Sequence, residues 1–151
     1  MRALKPGSER RLLQSLVAAF ALVPILSGLS GAVLGSDIFG SHVGLSRTGD
    51  SHLRYLSGLI LAIGLGFWST VPRIEMHGTR FRLLTCLVLI GGLVRLLGLV
   101  ALGVPTKGVI GALVMELVVT PSLALWRERL ERRMRRDGPQ MISSVLSSVS
   151  P

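Results

Sequence analysis

The chain has 151 residues, of which 49% are hydrophobic and 17% are charged, a composition too apolar for an ordinary soluble domain. The formal net charge of +9 would suggest a nucleic-acid partner in a soluble protein. Here, however, the basic residues flank long apolar runs, which argues against nucleic acid and favours a protein whose main partner is the lipid bilayer.

Four apolar runs are each long enough for a helix to cross the hydrocarbon layer of a bilayer, about 30 Å. Short loops join them, so the sequence predicts an all-α fold: an integral membrane four-helix bundle with up-down topology. A basic helical end follows the last run and completes a four-span domain over 1–137, and we expect the Ser-rich stretch 138–151 to be a disordered tail. The predicted spans are 12–36, 54–72, 82–103 and 108–126.

Small residues recur every four positions in the first two spans, which is typical of helices whose backbones approach closely in a membrane. The pattern predicts helix packing rather than catalysis. The two stripes are Ser27, Gly31 and Gly35 in the first span, and Gly58, Ala62 and Gly66 in the second.

The distribution of positive charge predicts the orientation. Thirteen of the 17 Lys and Arg residues lie before the first span, after the fourth, or between the second span and Arg82, the first residue of the third. Positive charge in short loops stays on the cytoplasmic side, so we expect a bacterial inner-membrane protein with both termini in the cytoplasm. The alternative is a cleaved signal peptide, which would leave three spans; the first apolar run is too long for a usual signal core.

Two lone charges, Arg95 and Glu116, interrupt the third and fourth apolar runs. Each lies eight positions from the turn between these runs, so both are roughly 12 Å below it and at the same depth. Opposite charges at one depth on neighbouring helices predict an ion pair. Two interpretations stay open: a structural salt bridge that locks the bundle, and a site that binds a proton or a ligand.

A second acid and base, Asp50 and Arg54, lie four residues apart at the outer mouth of the second span. They are expected either to pair locally or to let Arg54 turn inward towards Glu116. The sequence therefore predicts a buried polar cluster of Arg95, Glu116, Arg54 and Asp50.

Other chemistries find little support in the sequence. No histidine lies in a predicted span, so we expect no haem, and Cys86 alone provides neither a disulfide nor a metal site. We therefore predict no metal, no cofactor and no catalytic residues. An outer-loop histidine, His42 or His52, that binds a pigment or metal remains an alternative.

Four short strings in the chain resemble a family of small bacterial four-span membrane proteins, domain-of-unknown-function family 4345. The resemblance covers Leu12 to Trp126. It implies four transmembrane helices and no assigned activity. The strings are Asp50-Ser-His-Leu-Arg54-Tyr55-Leu-Ser-Gly58, Gly91-Gly92-Leu-Val-Arg95-Leu-Leu-Gly, Gly103-Val-Pro105 and Met115-Glu116-Leu117, and the family's recurrent polar positions are matched by Asp50, Arg54, Arg95, Pro105 and Glu116.

Three classes of function fit these observations. The first is an accessory or structural subunit that packs against other membrane protein subunits, favoured by the small size and glycine-rich helices. The second is a small carrier or a lipid- or quinone-binding protein that uses Arg95 and Glu116. A membrane enzyme ranks last, because no catalytic set converges at one depth.

Overall fold

A computed structural model describes residues 6–39, 45–103 and 107–149, with side chains over 7–38, 45–103 and 107–134. Every regular element in these ranges is helical, which confirms the predicted all-α class. A π-helical turn, Met115–Val119, joins the last two helices, and 3-10 turns cover Gly35–Phe39 and Val71–Arg73. The helices are α1 (Pro6–Leu34), α2 (Arg47–Thr70), α3 (Gly78–Leu102), α4 (Lys107–Val114) and α5 (Thr120–Val149).

Four stretches of these helices are long and apolar enough to cross a membrane. Large apolar side chains on them stay exposed, such as Val33 at 65% and Val100 at 80% of their full accessible area. Faces of this kind are expected where a helix contacts lipid rather than water. The candidate spans are Gly7–Ile38, Arg47–Arg73, Gly78–Leu102 and Lys107–Met134.

The helices extend beyond the apolar runs because polar turns outside the hydrocarbon can remain helical. Helix α2 begins at Arg47, seven residues before the predicted span, since the Ser46 hydroxyl accepts a hydrogen bond from the Gly49 amide at 3.2 Å and caps the helix. Part of the expected outer loop is therefore helical. At the other end of the chain, α5 continues to Val149. The predicted disorder of the tail 138–151 stays a prediction.

The chain divides into two compact units. One is contiguous, Gln14–Pro72, and we call it the hairpin unit. The other combines Met1–Leu13 with Arg73–Pro151, and we call it the split unit. Helix α1 contributes its first turns to the split unit and the rest of its length to the hairpin unit.

Glycines bring α1 and α2 into close contact in the hairpin unit. A Cβ atom on Gly28 would lie 2.5 Å from the backbone nitrogen of Leu61, and one on Gly31 would lie 2.9 Å from the Cβ of Ser57. Gly31 thus packs as predicted. Ser27 of the same stripe is exposed, and its neighbour Gly28 makes the contact instead. In α2, a Cβ on Gly58 would meet open space, and the contact residues Ser57 and Leu61 lie one position before the predicted stripe.

At the opposite end of the hairpin unit, a side chain of α1 caps α2. The Gln14 amide nitrogen donates to the carbonyl oxygens of Val71 at 2.7 Å and Pro72 at 3.3 Å. These carbonyls follow the last turn of α2 and lack the partners that a continuing helix would supply. Gln14 therefore satisfies polar backbone groups at the end of a span, where unpaired carbonyls are costly.

In the split unit, α3 approaches the π-helical turn closely at one glycine. A Cβ on Gly92 would lie 2.9 Å from the Cβ of Glu116 and 2.8 Å from Cδ2 of Leu117. The wide turn precedes Pro121, whose ring lacks an N–H and clashes with the carbonyl of Leu117 in a regular helix. The Thr120 hydroxyl donates to the Met115 carbonyl at 2.8 Å and helps to close this turn.

Candidate functional site

Arg95 of α3 and Glu116 of the π-helical turn form a forked ion pair. The Arg95 Nε donates to Oε2 of Glu116, and Nη2 donates to Oε1, both at 3.0 Å. Two parallel charge-assisted hydrogen bonds fix the relative orientation of the groups as well as their distance. The structure thus brings together the two lone charges of the third and fourth apolar runs.

This pair is only partly covered by protein. The Arg95 side chain is 37% exposed and that of Glu116 is 21% exposed. Of the neighbouring glycines, Gly92 sits against the π-helical turn, whereas a Cβ on Gly91 or Gly98 would meet nothing within 4 Å. The pair is therefore open on one side, towards the surface of α3 that the split unit leaves exposed.

Glu116 owes its position to the π-helical turn. Such turns carry one more residue than an α-helical turn, are rare, and occur often at functional sites. The turn is closed by Thr120 rather than by a regular backbone ladder alone, so the local backbone around the carboxylate departs from an ordinary helix. The arrangement holds the Glu116 carboxylate in a fixed position against the Arg95 guanidinium, the group of this pair that can bind an anion.

The second predicted pair, Asp50 and Arg54, sits where α1 ends and α2 begins, and bonds mainly to backbone. The Asp50 Oδ2 accepts from Arg54 Nε at 2.8 Å, and its Oδ1 accepts from the backbone nitrogen of Ser36 at 2.7 Å. Arg54 Nη1 also donates to the carbonyls of Ala32 at 2.9 Å and Val33 at 2.8 Å. Together these bonds cap the C-terminus of α1, where carbonyls lack helical partners and attract positive charge.

Gly35 makes this cap possible. Its φ of +59° places it in the left-handed region that favours glycine at a helix C-terminus. A Cβ at this position would also collide with the Asp50 carboxylate and with the Arg54 guanidinium. Gly35, which the sequence placed in a packing stripe, therefore ends α1 and leaves room for the polar cap.

Two pairs are thus formed, one within each unit, and the predicted single cluster of four residues stays a prediction. For Arg54 the local alternative holds, because its Nε and Nη1 donate to Asp50 and to carbonyls of α1. Among the described residues, no group of three or more His, Cys, Asp or Glu side chains is arranged to hold a metal ion.

The sequence profile of one family, described as a domain of unknown function (DUF4345), matches residues 12–127 of the chain. The chain belongs to this family. The match confirms the resemblance seen in the sequence and includes both ion pairs. No curated protein and no solved structure matches the chain.

The DUF4345 match ends at a residue whose role sequence reasoning missed. Arg127 was counted among the arginines that set topology, but its side chain is only 1% exposed. It donates to the carbonyls of Ile74 at 2.9 Å and Glu75 at 3.1 Å, and to the Glu131 carboxylate at 2.7 Å. Arg127 therefore ties α5 to the segment before α3.

The close fit around Arg127 depends on a glycine at the start of α3. A Cβ on Gly78 would lie 2.6 Å from Nη2 of Arg127. The sequence held one usable signal, an acid at i+4 in Glu131. Nothing in the sequence pointed to the carbonyls of the loop, which the arginine reaches only because the chain folds back on itself.

Proposed function

We propose that this DUF4345 protein is a multi-pass protein of the bacterial inner membrane, with its four spans in an up-down bundle and both termini in the cytoplasm. The excess of arginine before the first span, after the second and after the fourth supports this orientation. An ion pair between Glu9 and Arg133, at 3.4 Å, supports the placement of both termini on one side of the membrane, because it joins the start of α1 to α5.

Reporter fusions test the orientation. A green fluorescent protein fused after Pro151 should fluoresce, because it folds in the cytoplasm but not after export through the general secretion pathway. Alkaline phosphatase at the same place should be inactive, and it should be active when fused directly before Leu45, between the first two spans. Active phosphatase after Pro151 contradicts the proposed topology.

Within the membrane, we propose that the protein acts as an accessory or structural subunit that packs against a larger membrane complex. One observation carries this proposal: Gly91 and Gly98 lie seven residues apart on α3, both exposed, with open space where a Cβ would be. Exposed large side chains flank them, among them Val94 at 63% and Leu97 at 69%. Small residues between larger ones on an outward membrane face let a partner helix approach closely.

The polar groups of the spans support the same function. Arg95 and Glu116 bond to each other, and Arg54 and Asp50 to the end of α1. Side chains engaged in this way hold helices in place and do not form a set of nucleophile, acid and base. We therefore assign the binding of a partner helix to the exposed, glycine-containing surface of α3.

The test combines partner capture with a matched pair of variants. A photo-crosslinking residue in place of Val94 should link the native protein to one membrane partner, and Gly91→Leu/Gly98→Leu should abolish the link and the co-purification in mild detergent. Gly111→Leu on α4, also in open space, should leave both unchanged. A wild-type protein that purifies alone and gives no crosslink contradicts the proposal.

A second candidate, a small carrier or a lipid- or quinone-binding protein, is favoured by the open side of the Arg95–Glu116 pair. Arg95 uses Nε and Nη2 for Glu116, and its Nη1 donates to no acceptor among the described residues. A carbonyl or acidic oxygen of a bound molecule could accept from that nitrogen. A soluble quinone analogue should then raise the melting temperature of the wild type but not of Arg95→Leu/Glu116→Leu, and an equal rise in both contradicts this candidate.

A further inference from the structure

Ion pairs gather the most strongly charged part of the split unit at one end. Arg133 on α5 pairs with Glu9 on α1 at 3.4 Å, and Arg10 on α1 pairs with Glu75 at 3.0 Å. The first turns of α1, the segment before α3 and the middle of α5 are therefore neighbours. We call this region the basic end.

The glutamates of the basic end are all engaged by arginines. Glu131 binds Arg127 at 2.7 Å, and Glu128 is shared by Arg82 at 4.0 Å and Arg132 at 3.8 Å. Glu9 and Glu75 have the partners given above. Every acidic side chain in the described part of this end is thus paired with an arginine. The other arginines of this end need an anion from outside this set.

Three exposed arginines remain at this end without an acidic partner among the described residues: Arg11, Arg73 and Arg129. Arg129 points away from the buried side of α5, since its neighbours Arg127 and Leu130 are both buried. An exposed guanidinium that forms no ion pair within its own chain keeps its full capacity to bind an external anion.

The depth of these arginines is marked by tryptophan. The chain has two Trp residues, Trp68 and Trp126, and they precede Arg73 by five positions and Arg129 by three. Tryptophan is enriched at the level of the lipid headgroups. Arg11 immediately precedes the first apolar run at the same end of the molecule. The three guanidinium groups are therefore expected at the height of the phosphates of one leaflet.

We propose that the basic end binds the headgroups of anionic phospholipids in the leaflet that it faces, with Arg11, Arg73 and Arg129 as the contact residues. The planar guanidinium matches a phosphate with two parallel hydrogen bonds. A zwitterionic headgroup also has a phosphate, but its own cation competes with the arginine for that charge. The basic end should therefore select lipids of net negative charge.

The composition of the lipid shell tests this proposal. The full-length protein is reconstituted in phosphatidylcholine vesicles with a minor fraction of phosphatidylglycerol, extracted in polymer-bounded discs, and the two lipids are quantified by mass spectrometry. Phosphatidylglycerol should be enriched around the wild type. Each arginine near an anionic surface changes such an equilibrium by about fivefold, so Arg11→Gln/Arg129→Gln should lose most of the enrichment.

Two matched variants control for net charge and for folding. Arg47→Gln/Lys107→Gln removes the same charge from residues outside the basic end and should keep the enrichment, whereas equal loss in this variant overturns the proposal. Arg11→Lys/Arg129→Lys keeps the charge and should retain most of the enrichment. If the glutamine variant does not fold, the proposal is tested on the wild type alone. Its phosphatidylglycerol enrichment should fall when NaCl is added, because salt screens the attraction between arginine and phosphate. Discs with the lipid ratio of the vesicles, or enrichment that ignores salt, overturn the proposal.

Discussion

The two arginine–carboxylate pairs of the candidate site, Arg54–Asp50 and Arg95–Glu116, differ in what surrounds the arginine. In the hairpin unit, Arg54 donates to Asp50 and also to carbonyls at the end of α1. In the split unit, Arg95 donates to Glu116 alone among the described residues. The first arginine has several acceptors in the backbone, while the second depends on one side chain.

This difference predicts which carboxylate contributes more to the stability of the protein. A cation at a helix C-terminus is stabilised by the carbonyl dipoles whether or not an acid is present. A cation inside a span without its acid has no such support, and arginine does not become neutral by losing its proton. Loss of Glu116 should therefore cost more than loss of Asp50, and the predictions below test this contrast in order of decreasing effect.

The largest effect is expected from Glu116→Leu. It strands the Arg95 charge; breaking a buried bridge typically costs about 3–5 kcal/mol, and we expect the lower end of this range because the Arg95 side chain is 37% exposed. Arg95→Leu should cost less, because a carboxyl left alone can take up a proton. Unfolding in mixed detergent–SDS micelles measures both. The double variant Arg95→Leu/Glu116→Leu should recover much of the loss, and a double variant as unstable as the sum of the singles would show that the residues do not interact.

A smaller effect is expected where α3 meets the π-helical turn. In Gly92→Ala the new methyl would lie 2.9 Å from the Cβ of Glu116, which sits next to the backbone and cannot move freely. We expect a loss of about 2 kcal/mol in the free energy of unfolding, as for other overpacked sites. Gly91→Ala, one residue away in open space, is the control and should be neutral or slightly stabilising. Equal effects of the two variants would contradict the close contact.

Much of the fold and of the candidate site could be predicted from the sequence, and the features that could not be predicted share a physical cause. The helices follow from the length of the apolar runs, and the Arg95–Glu116 pair from equal distances to one turn. The role of Arg127 could not be anticipated, because its acceptors are loop carbonyls more than 50 residues away. Backbone acceptors are present at every residue, so a sequence gives no mark of which ones a distant arginine will reach.

The packed glycines show the same limit on a smaller scale. Spacing indicated that α1 and α2 pack through small residues, but Gly28 rather than Ser27 forms the contact. A rotation of about 100° separates neighbouring residues on a helix. In a glycine-rich span, small residues recur every four positions on more than one face of the helix. The spacing alone therefore does not show which face is packed.

The next effect concerns the end of α1. In Gly35→Ala the residue must keep a φ of +59°, which costs a non-glycine residue about 1–2 kcal/mol. The melting temperature in detergent should fall accordingly. Gly58→Ala on α2, where the added methyl meets open space, should not lower it. An unchanged melting temperature in Gly35→Ala would show that α1 can end without this cap.

The smallest effect is expected from Asp50→Asn, and it completes the contrast with Glu116. The amide can still accept from the Ser36 backbone, and Arg54 keeps its carbonyl acceptors. We expect a loss of about 1 kcal/mol or less, the usual worth of one hydrogen bond. The same unfolding measurement applies. If Asp50→Asn costs as much as Glu116→Leu, then backbone acceptors do not protect the charge of Arg54.

The division of α1 between two units has a consequence for the order in which the protein can be completed during synthesis. The hairpin unit is contiguous and has all its residues once Pro72 has left the ribosome. The split unit is not contiguous: Glu9 and Arg10 precede the hairpin unit in the chain, yet their partners Arg133 and Glu75 follow it. Since domains form from the N-terminus as the chain emerges, α1 and α2 can associate before Glu75 and Arg133, the partners of the first turns of α1, have been made. The ion pairs of the split unit therefore form only after the hairpin unit is complete.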